Sequence, residues 1–271
     1  MTDVKEIDRG FKQKEYYGWR AVNYMAIDYI KQCRAATRDD SVFEHFKSMS
    51  GFRNILEHVP SDLGEKYLDD ISKNNPELIQ EAQIFIKAND TIGSPYKSDY
   101  VKYNIEEISP TTARYMKVLS DLMTLYNNLD DMNIVEIGGG YGGLTTVISK
   151  KFKFNNYYNV DLADPAKLAK KYCWLAGINN FHIITPDKLD KLNDVNIDLV
   201  ISNYAFSECN YETQNIYIDK ILSRSKRGYI THNTSDERRE RTKSIIQNYN
   251  NFNIFGRDFC KKQHPIFAWG K

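Results

Sequence analysis

Hydrophobic and polar positions follow two different periods along this chain, and the change falls near residue 105. Up to that point apolar residues recur at helical spacing. Trp19, Val22, Ala26 and Ile30 form one stripe with Met25 and Tyr29 beside it, and Leu78, Ala82 and Phe85 form another after Pro76, a favoured first helical residue. Ser48-Met49-Ser50-Gly51 and Val59-Pro60-Ser61 interrupt the pattern as helix-to-helix connections, with Ser61 able to cap the next helix. The polar loop Ala88-Asn89-Asp90-Thr91-Ile92-Gly93-Ser94-Pro95 closes this part. An N-terminal helical region without strands is therefore predicted over residues 1–105 and a second unit over 106–271. The second opens with a helix capped by Ser109 and begun by Pro110, with Tyr115, Val118, Leu119, Leu122 and Tyr126 on its buried stripe.

From Asn133 onward short β-branched and aromatic runs alternate with helical ones. Strands are predicted at 133–137, 157–160, 181–184, 197–202, 228–232, 252–255 and 265–269, with helices at 144–151, 166–175, 212–223 and 237–248. The last gap, 256–264, is too short for a helical crossover, so the last two strands must be antiparallel. This alternation implies an α/β fold class: a Rossmann-like doubly wound sheet with an antiparallel last strand, preceded by the helical region.

The segment Asn133-Ile134-Val135-Glu136-Ile137-Gly138-Gly139-Gly140-Tyr141-Gly142-Gly143-Leu144 joins a buried strand to a helix through a glycine-rich turn. A plain turn needs one or two glycines, so five suggest that a ligand approaches the backbone closely, at a helix N-terminus whose N–H groups face it. Three ligand classes use such a turn. Gly138 and Gly143 have P-loop spacing, but Leu144 stands where the phosphate-binding lysine belongs, which disfavours a nucleotide triphosphatase. Gly138, Gly140 and Gly143, with Asp161 further on, satisfy the dinucleotide fingerprint. Glu136 tips the balance. Glu136-x-Gly138-x-Gly140-x-Gly142 resembles the first motif of S-adenosylmethionine-dependent methyltransferases, and a carboxylate there repels a pyrophosphate but suits a sulfonium ligand bearing an amine.

Composition narrows the partners. A formal net charge of +1 leaves no global field to attract nucleic acid or a membrane surface. Cys33, Cys173, Cys209 and Cys260 lack metal or disulfide spacing and read as free thiols in a reducing, cytoplasmic setting, and no run is long and apolar enough for a membrane span. The sequons at Asn89 and Asn233 read as chance matches in that setting. No H-x-x-x-H pair or Asp cluster points to a metal.

Ligands of an open α/β sheet bind outside the carboxyl ends of its strands, which ranks the polar residues. Asp161 lies just past the second strand, where an acid accepts from both ribose hydroxyls of a nucleoside cofactor; Asp164, before Pro165, is the more natural helix cap. Asp187 lies past the third strand, placed to meet an adenine amino group, although Thr185-Pro186-Asp187 also reads as a turn. Asn203, Ser207 and Glu208 lie past the fourth strand. His232 ends the fifth and His264 precedes the last. Glu208, His264 and His232, in that order, are the candidate general bases, and each has a structural reading as a helix or strand-end residue. His45, His58 and His182 receive no chemical role.

Asn89 to Pro95, Ile108-Ser109-Pro110-Thr111-Thr112-Ala113-Arg114-Tyr115, Val135 to Gly143 and Ser202 to Glu208 together resemble the sugar O-methyltransferase family of bacteria and large viruses, over about residues 50–271. The resemblance implies methyl transfer from S-adenosylmethionine to a hydroxyl of a sugar or glycan acceptor; the first 50 residues lie outside it, and a lid or a contact in a homo-oligomer are the two roles open to them. Glu136, Gly138, Gly140, Gly142, Asp161, Asp187 and Asn203 are the expected cofactor contacts. Arg114 is expected to pair with the cofactor carboxylate or a charged sugar substituent, a surface salt bridge being its structural reading. An NAD-dependent oxidoreductase and a catalytically inactive methyltransferase fold serving as a binding module stay open as alternatives.

Overall fold

The structure, a computed structural model, describes residues 24–233, 235–257 and 264–270. Trp19 and Val22 of the first predicted stripe, Thr234 of the second sequon and Cys260 lie outside them. Among the described residues the chain begins with helices α1 (Tyr24–Arg38), α2 (Asp40–Phe43), α3 (Ser50–Ile55), α4 (Ser61–Asn74), α5 (Pro76–Gln80) and α6 (Ala82–Asn89). Next come a hairpin of β1 (Ser98–Tyr100) and β2 (Ile105–Ile108) and helix α7 (Pro110–Tyr126). The alternating part runs β3 (Asn133–Ile137), α8 (Gly143–Ile148), β4 (Asn156–Val160), α9 (Ala163–Leu175), β5 (Phe181–Ile184), β6 (Leu199–Asn203), α10 (Ala205–Glu208), α11 (Tyr211–Lys220), β7 (Arg227–Thr231), α12 (Asp236–Ile246), β8 (Asn253–Arg257) and β9 (Pro265–Trp269).

Seven strands form one sheet in the order β5-β4-β3-β6-β7-β9-β8. The first five in that order are parallel; β9 runs antiparallel to β8, as the short 256–264 gap requires, and also to β7. The chain leaves β3 toward β4 on one side and returns to β6 on the other, so the strand order reverses at β3 and a crevice opens at its carboxyl end. Register sets which residues meet there. Glu136 lies opposite Asn159 of β4 and Ile201 of β6, and Asn203 lies opposite Thr231 of β7. Strand alternation sends Val135 and Ile137 to one face, packed with Val160, Val200, Ile230 and Phe267, and Ile134 to the other, with Tyr157, Leu199, Ile201 and the N-terminal helices. Glu136 shares the face of Ile134.

Several local expectations change. The stretch before Ser109 is not wholly helical: Ser98–Tyr100 and Ile105–Ile108 pair as an antiparallel hairpin too short to carry a readable period. Ser61 does not cap α4. Its hydroxyl meets Ser98 Oγ at 2.6 Å, and Pro60 holds the cap position. Asp164 is not a cap either, because α9 begins one residue earlier and Asp164 instead binds Arg34 of α1 at 2.8 Å. Ser109 does cap α7, accepting from the Thr111 N–H at 3.2 Å.

The loop after α6, which reads in the sequence as a polar connection, is a buried clamp. Asp90 accepts from the Ser109 N–H at 2.8 Å and the Thr112 hydroxyl at 2.6 Å, and Asn89 Nδ2 donates to the same hydroxyl oxygen at 2.6 Å. Lys47, fully buried, donates to the Asn89 carbonyl and to Tyr172 Oη, and its ammonium lies over the rings of Tyr141 and Tyr172 at 4.7 and 4.8 Å. Burial lowers its pKa to about 8. The Asn-Asp and Ser-Pro-Thr-Thr motifs thus meet each other inside the protein. Asp90→Ala should leave the Ser109 N–H and Thr112 hydroxyl without their acceptor in a dry site and cost about 2–4 kcal/mol, read as a lowered urea midpoint at unchanged slope.

Candidate functional site

A cavity of about 610 Å³, within the range of small-molecule sites, opens at the carboxyl edge of the sheet. Its floor is the glycine-rich turn, Gly138, Gly139 and Gly140, with Glu136 below and Asp161 beside it. One wall is the β6–α10 junction, Asn203, Tyr204, Ala205 and Glu208, with Asn233 alongside. The opposite wall comes from the N-terminal helices: Tyr29, Leu56, His58, Val59 and Tyr67, with Arg114 and Tyr115 of α7.

Only part of the glycine run faces this space. Gly138, Gly140 and Gly142 have φ of 76°, 57° and 89°, a region that side chains with a Cβ rarely adopt. A Cβ on Gly138 would lie 2.1 Å from that of Ala205, so the turn needs glycine there to let α10 approach. Gly142 and Gly143 turn away from the cavity: a Cβ on them would meet Cys173 Sγ at 2.6 Å and the Tyr115 ring at 2.5 Å. The first residue of α8 packs against the Tyr115 and Tyr141 rings, so these two glycines serve close packing and only the first three of the run line the cavity.

Two acids stand at the floor with little to neutralise them. Glu136 is 3% exposed, and among the described residues its hydrogen-bond donor is the Tyr157 hydroxyl at 2.8 Å; no cation pairs with it. Burial, reinforced by the nearby Asp161 charge and partly offset by Tyr157, raises its pKa from 4.5 to about 7. Asp161 accepts from the Gly140 N–H at 2.9 Å and from the Leu162 N–H at 2.6 Å, and burial raises it to about 6. The first of these bonds ties the end of β4 to the glycine turn. Each carboxylate oxygen keeps a second lone pair for a ligand.

The structure brings Arg114, Asn203, Glu208 and His264 to the walls of the same cavity. The Arg114 guanidinium lies by the rings of Tyr115 and Tyr204 and donates to the Leu56 carbonyl at 3.4 Å. Asn203 Oδ1 accepts from the Thr231 hydroxyl at 3.3 Å. Glu208 lines the space and accepts from Asn233 Nδ2 at 2.6 Å; the protein around it still desolvates the carboxyl enough to raise its pKa, although Asn233 opposes this. The His264 ring meets the Tyr204 ring edge-on at 5.9 Å. Three expected residues lie elsewhere. His232 is fully buried outside the wall, its Nε2 3.0 Å from Thr242 Oγ1, and burial holds it down to about 4. Asp187 sits in a separate depression with Lys167, Lys188 and Lys191, sharing only the rim residues Leu162 and Pro186 with the main cavity. Gly142 is packed on Cys173. Ser207 also serves structure, its Oγ lying 2.6 Å from the Tyr204 carbonyl.

His58, to which the sequence assigns no chemical role, lines the cavity. Burial and then the Arg114 charge keep its imidazole below the ordinary value. No periodic signal marks it, since it belongs to the breaker between α3 and α4.

No family model matches the chain, and no curated protein matches it. Solved structures do. Precorrin 8w decarboxylase from Methanobacterium thermoautotrophicum is 18% identical over 58% of this chain and 90% of its own, with a TM-score of 0.41. TrmK from M. capricolum, solved with S-adenosyl-homocysteine, is 17% identical over 52% of this chain and 61% of its own, with a TM-score of 0.37. Magnesium protoporphyrin IX methyltransferase from Synechocystis PCC 6803, solved with bound SAM, is 16% identical over 58% and 81%, with a TM-score of 0.42. Likeness of this degree leaves the chemistry of the cavity to its own residues.

Because Glu136 holds its proton more tightly in the folded chain than in the unfolded one, its contribution to stability is present below pH 4.5 and lost as pH rises through about 7. Glu136→Gln should therefore melt higher than the unmodified, ligand-free protein at pH 8, by roughly 3 kcal/mol of stability, with the gap closing toward pH 5. Calorimetry across that range checks the sign.

Proposed function

We propose that the chain transfers a methyl group from S-adenosylmethionine to a hydroxyl of a sugar or glycan. Glu136 carries the cofactor half of this reading: a carboxylate buried at the cavity floor, paired with no cation among the described residues. A ligand whose ammonium reaches the floor supplies the missing charge and lowers the carboxyl's pKa, whereas a pyrophosphate would be repelled. Asp161, one strand over, suits the ribose hydroxyls, and Arg114 suits the cofactor carboxylate. The sugar half rests on the resemblance of the four segments from Asn89 to Glu208.

S-adenosylmethionine, once bound, offers a methyl group already activated by its sulfonium. The task left to the chain is to align an acceptor oxygen and remove its proton. The cofactor would supply the methyl group and leave as a neutral thioether, and Glu208 would take up the proton that the acceptor hydroxyl gives up. The raised pKa of Glu208 fits that task, because a stronger base accepts the proton more readily. His264 is the second candidate from the same wall, and His232 is separated from the cavity by its burial.

Glu136→Ala and Asp161→Ala should each weaken S-adenosylhomocysteine binding about 10- to 100-fold in isothermal titration, while NAD gives no heat. Unchanged affinity in both folded variants would remove the cofactor assignment. Glu208→Gln should leave that affinity intact and lower turnover on a panel of sugar nucleotides on the order of 100-fold; turnover within a few fold of the parent would reject Glu208 as the base.

A further inference from the structure

The residue between β6 and α10 is held in a conformation that its side chain opposes. Tyr204 has φ 71° and ψ −40°. Positive φ elsewhere in the described chain falls on glycine or on polar Ser, Asn, Asp or Glu, and Tyr204 is the one aromatic residue there. Glycine or asparagine would satisfy such a turn with less strain. The surroundings fix the backbone firmly. The Tyr204 N–H donates to the Thr231 carbonyl at 3.1 Å, and its carbonyl accepts from the Ser207 N–H at 2.9 Å. Arg238 donates to the Ser207 and Cys209 carbonyls, Gln214 donates to that of Phe206, and Ala205 is pressed against Gly138. A large side chain at a strained position, retained where a small one would serve the backbone, points to a use for the ring.

The ring's position indicates that use. Tyr204 lines the cavity between two other wall residues, with the Arg114 guanidinium carbon 6.0 Å from its centroid and the His264 ring 5.9 Å away at 74°. Glu208 stands one helical turn further along the same wall, and the Glu208 N–H donates to the Tyr204 carbonyl at 3.3 Å. Floor positions Glu136 and Asp161 belong to the cofactor, so the aromatic group and the carboxylate of this turn are left to face a second ligand.

We propose that Tyr204 is the acceptor-binding platform of the site: its ring takes the C–H face of a cyclic acceptor, so that a ring hydroxyl reaches Glu208. This rests on the methyl-transfer reading and narrows the acceptor to a ring with one apolar face and hydroxyls at its edge, a pyranose or furanose, as against an open-chain polyol. An aromatic side chain recognises such a face by area and by its quadrupole, and loses little rotamer entropy in doing so.

The test uses the full chain, S-adenosylmethionine, a panel of nucleotide-linked hexoses and 6-deoxyhexoses, and the open-chain alditols of the same hexoses as controls with hydroxyls but no ring face. The expected result is methylation of a ring acceptor and not of the alditols. Tyr204→Ala should raise the acceptor KM at least ~10-fold with S-adenosylhomocysteine affinity within about twofold, and Tyr204→Phe, which keeps the ring, should recover most of that loss. Tyr204→Gly, which accepts the backbone angle freely, should show the same KM defect in a folded protein. An acceptor KM unchanged in both the Ala and Gly variants, or alditols methylated as well as rings, overturns the platform while leaving methyl transfer in place. Cofactor binding without transfer to any acceptor by the parent protein overturns both.

Discussion

The glycine-rich turn is held from behind by one aromatic residue set among its glycines. Tyr141 is fully buried, packs edge-on against Phe46 and Tyr172 at 5.4 and 5.1 Å, and donates its hydroxyl to Glu57 at 2.7 Å. Through these contacts the turn belongs as much to the N-terminal helices as to the sheet. Glu57 lies between α3 and α4 beside His58, so the residue that anchors the turn adjoins one that faces the cavity. The Lys47–Asn89–Asp90 clamp lies directly behind, with the Lys47 ammonium over the Tyr141 ring. Removing any of these parts frees a turn whose three positive-φ glycines give it little stiffness of its own.

The same arrangement leaves the cavity floor electrostatically unfinished. Desolvated acids with raised pKa values cost stability in the ligand-free protein wherever they are ionised, and either a retained proton or a nearby cation offsets that cost. Both acids are held in place by rigid neighbours, Tyr157 on Glu136 and the Gly140 and Leu162 N–H groups on Asp161. A ligand meeting a floor held in this way would find its dipoles already in place, with little rearrangement left to make.

The legibility of each feature in the chain depends on the physics behind it. Strands 133–137, 181–184 and 265–269 read to the residue because they are apolar, β-branched or aromatic runs bounded by polar or glycine residues, and the reversed last strand is implied by a gap length. Helix ends drift by a few residues, as at α9, where Leu162 rather than Asp164 takes the cap position. The hairpin and the buried Asn89–Asp90 clamp are illegible: polar residues that bury themselves by pairing with one another give no hydrophobic period. Topology also gives a strand's carboxyl edge without the direction of the side chain beyond it. Asn203 and His264 reach the cavity, while His232 turns inward to Thr242 and Asp187 to a neighbouring depression. His58 enters the wall through tertiary packing of helices whose stripes say only which face is buried.

The position of β9 has a further effect, on how the chain reaches this fold. β8 precedes β9 in sequence but lies outside it in the sheet, and β8 pairs with β9 alone. A chain growing from its N-terminus therefore completes β7 with one edge bare, and β8 has nothing to pair with until residues 265–269 emerge and slot between them. Until that moment the Tyr229 and Ile230 strand offers its free N–H and C=O groups to any other strand nearby. The unfinished molecule is then most exposed to pairing with another copy of itself, and shielding during synthesis would matter more for this edge than for any other part of the sheet.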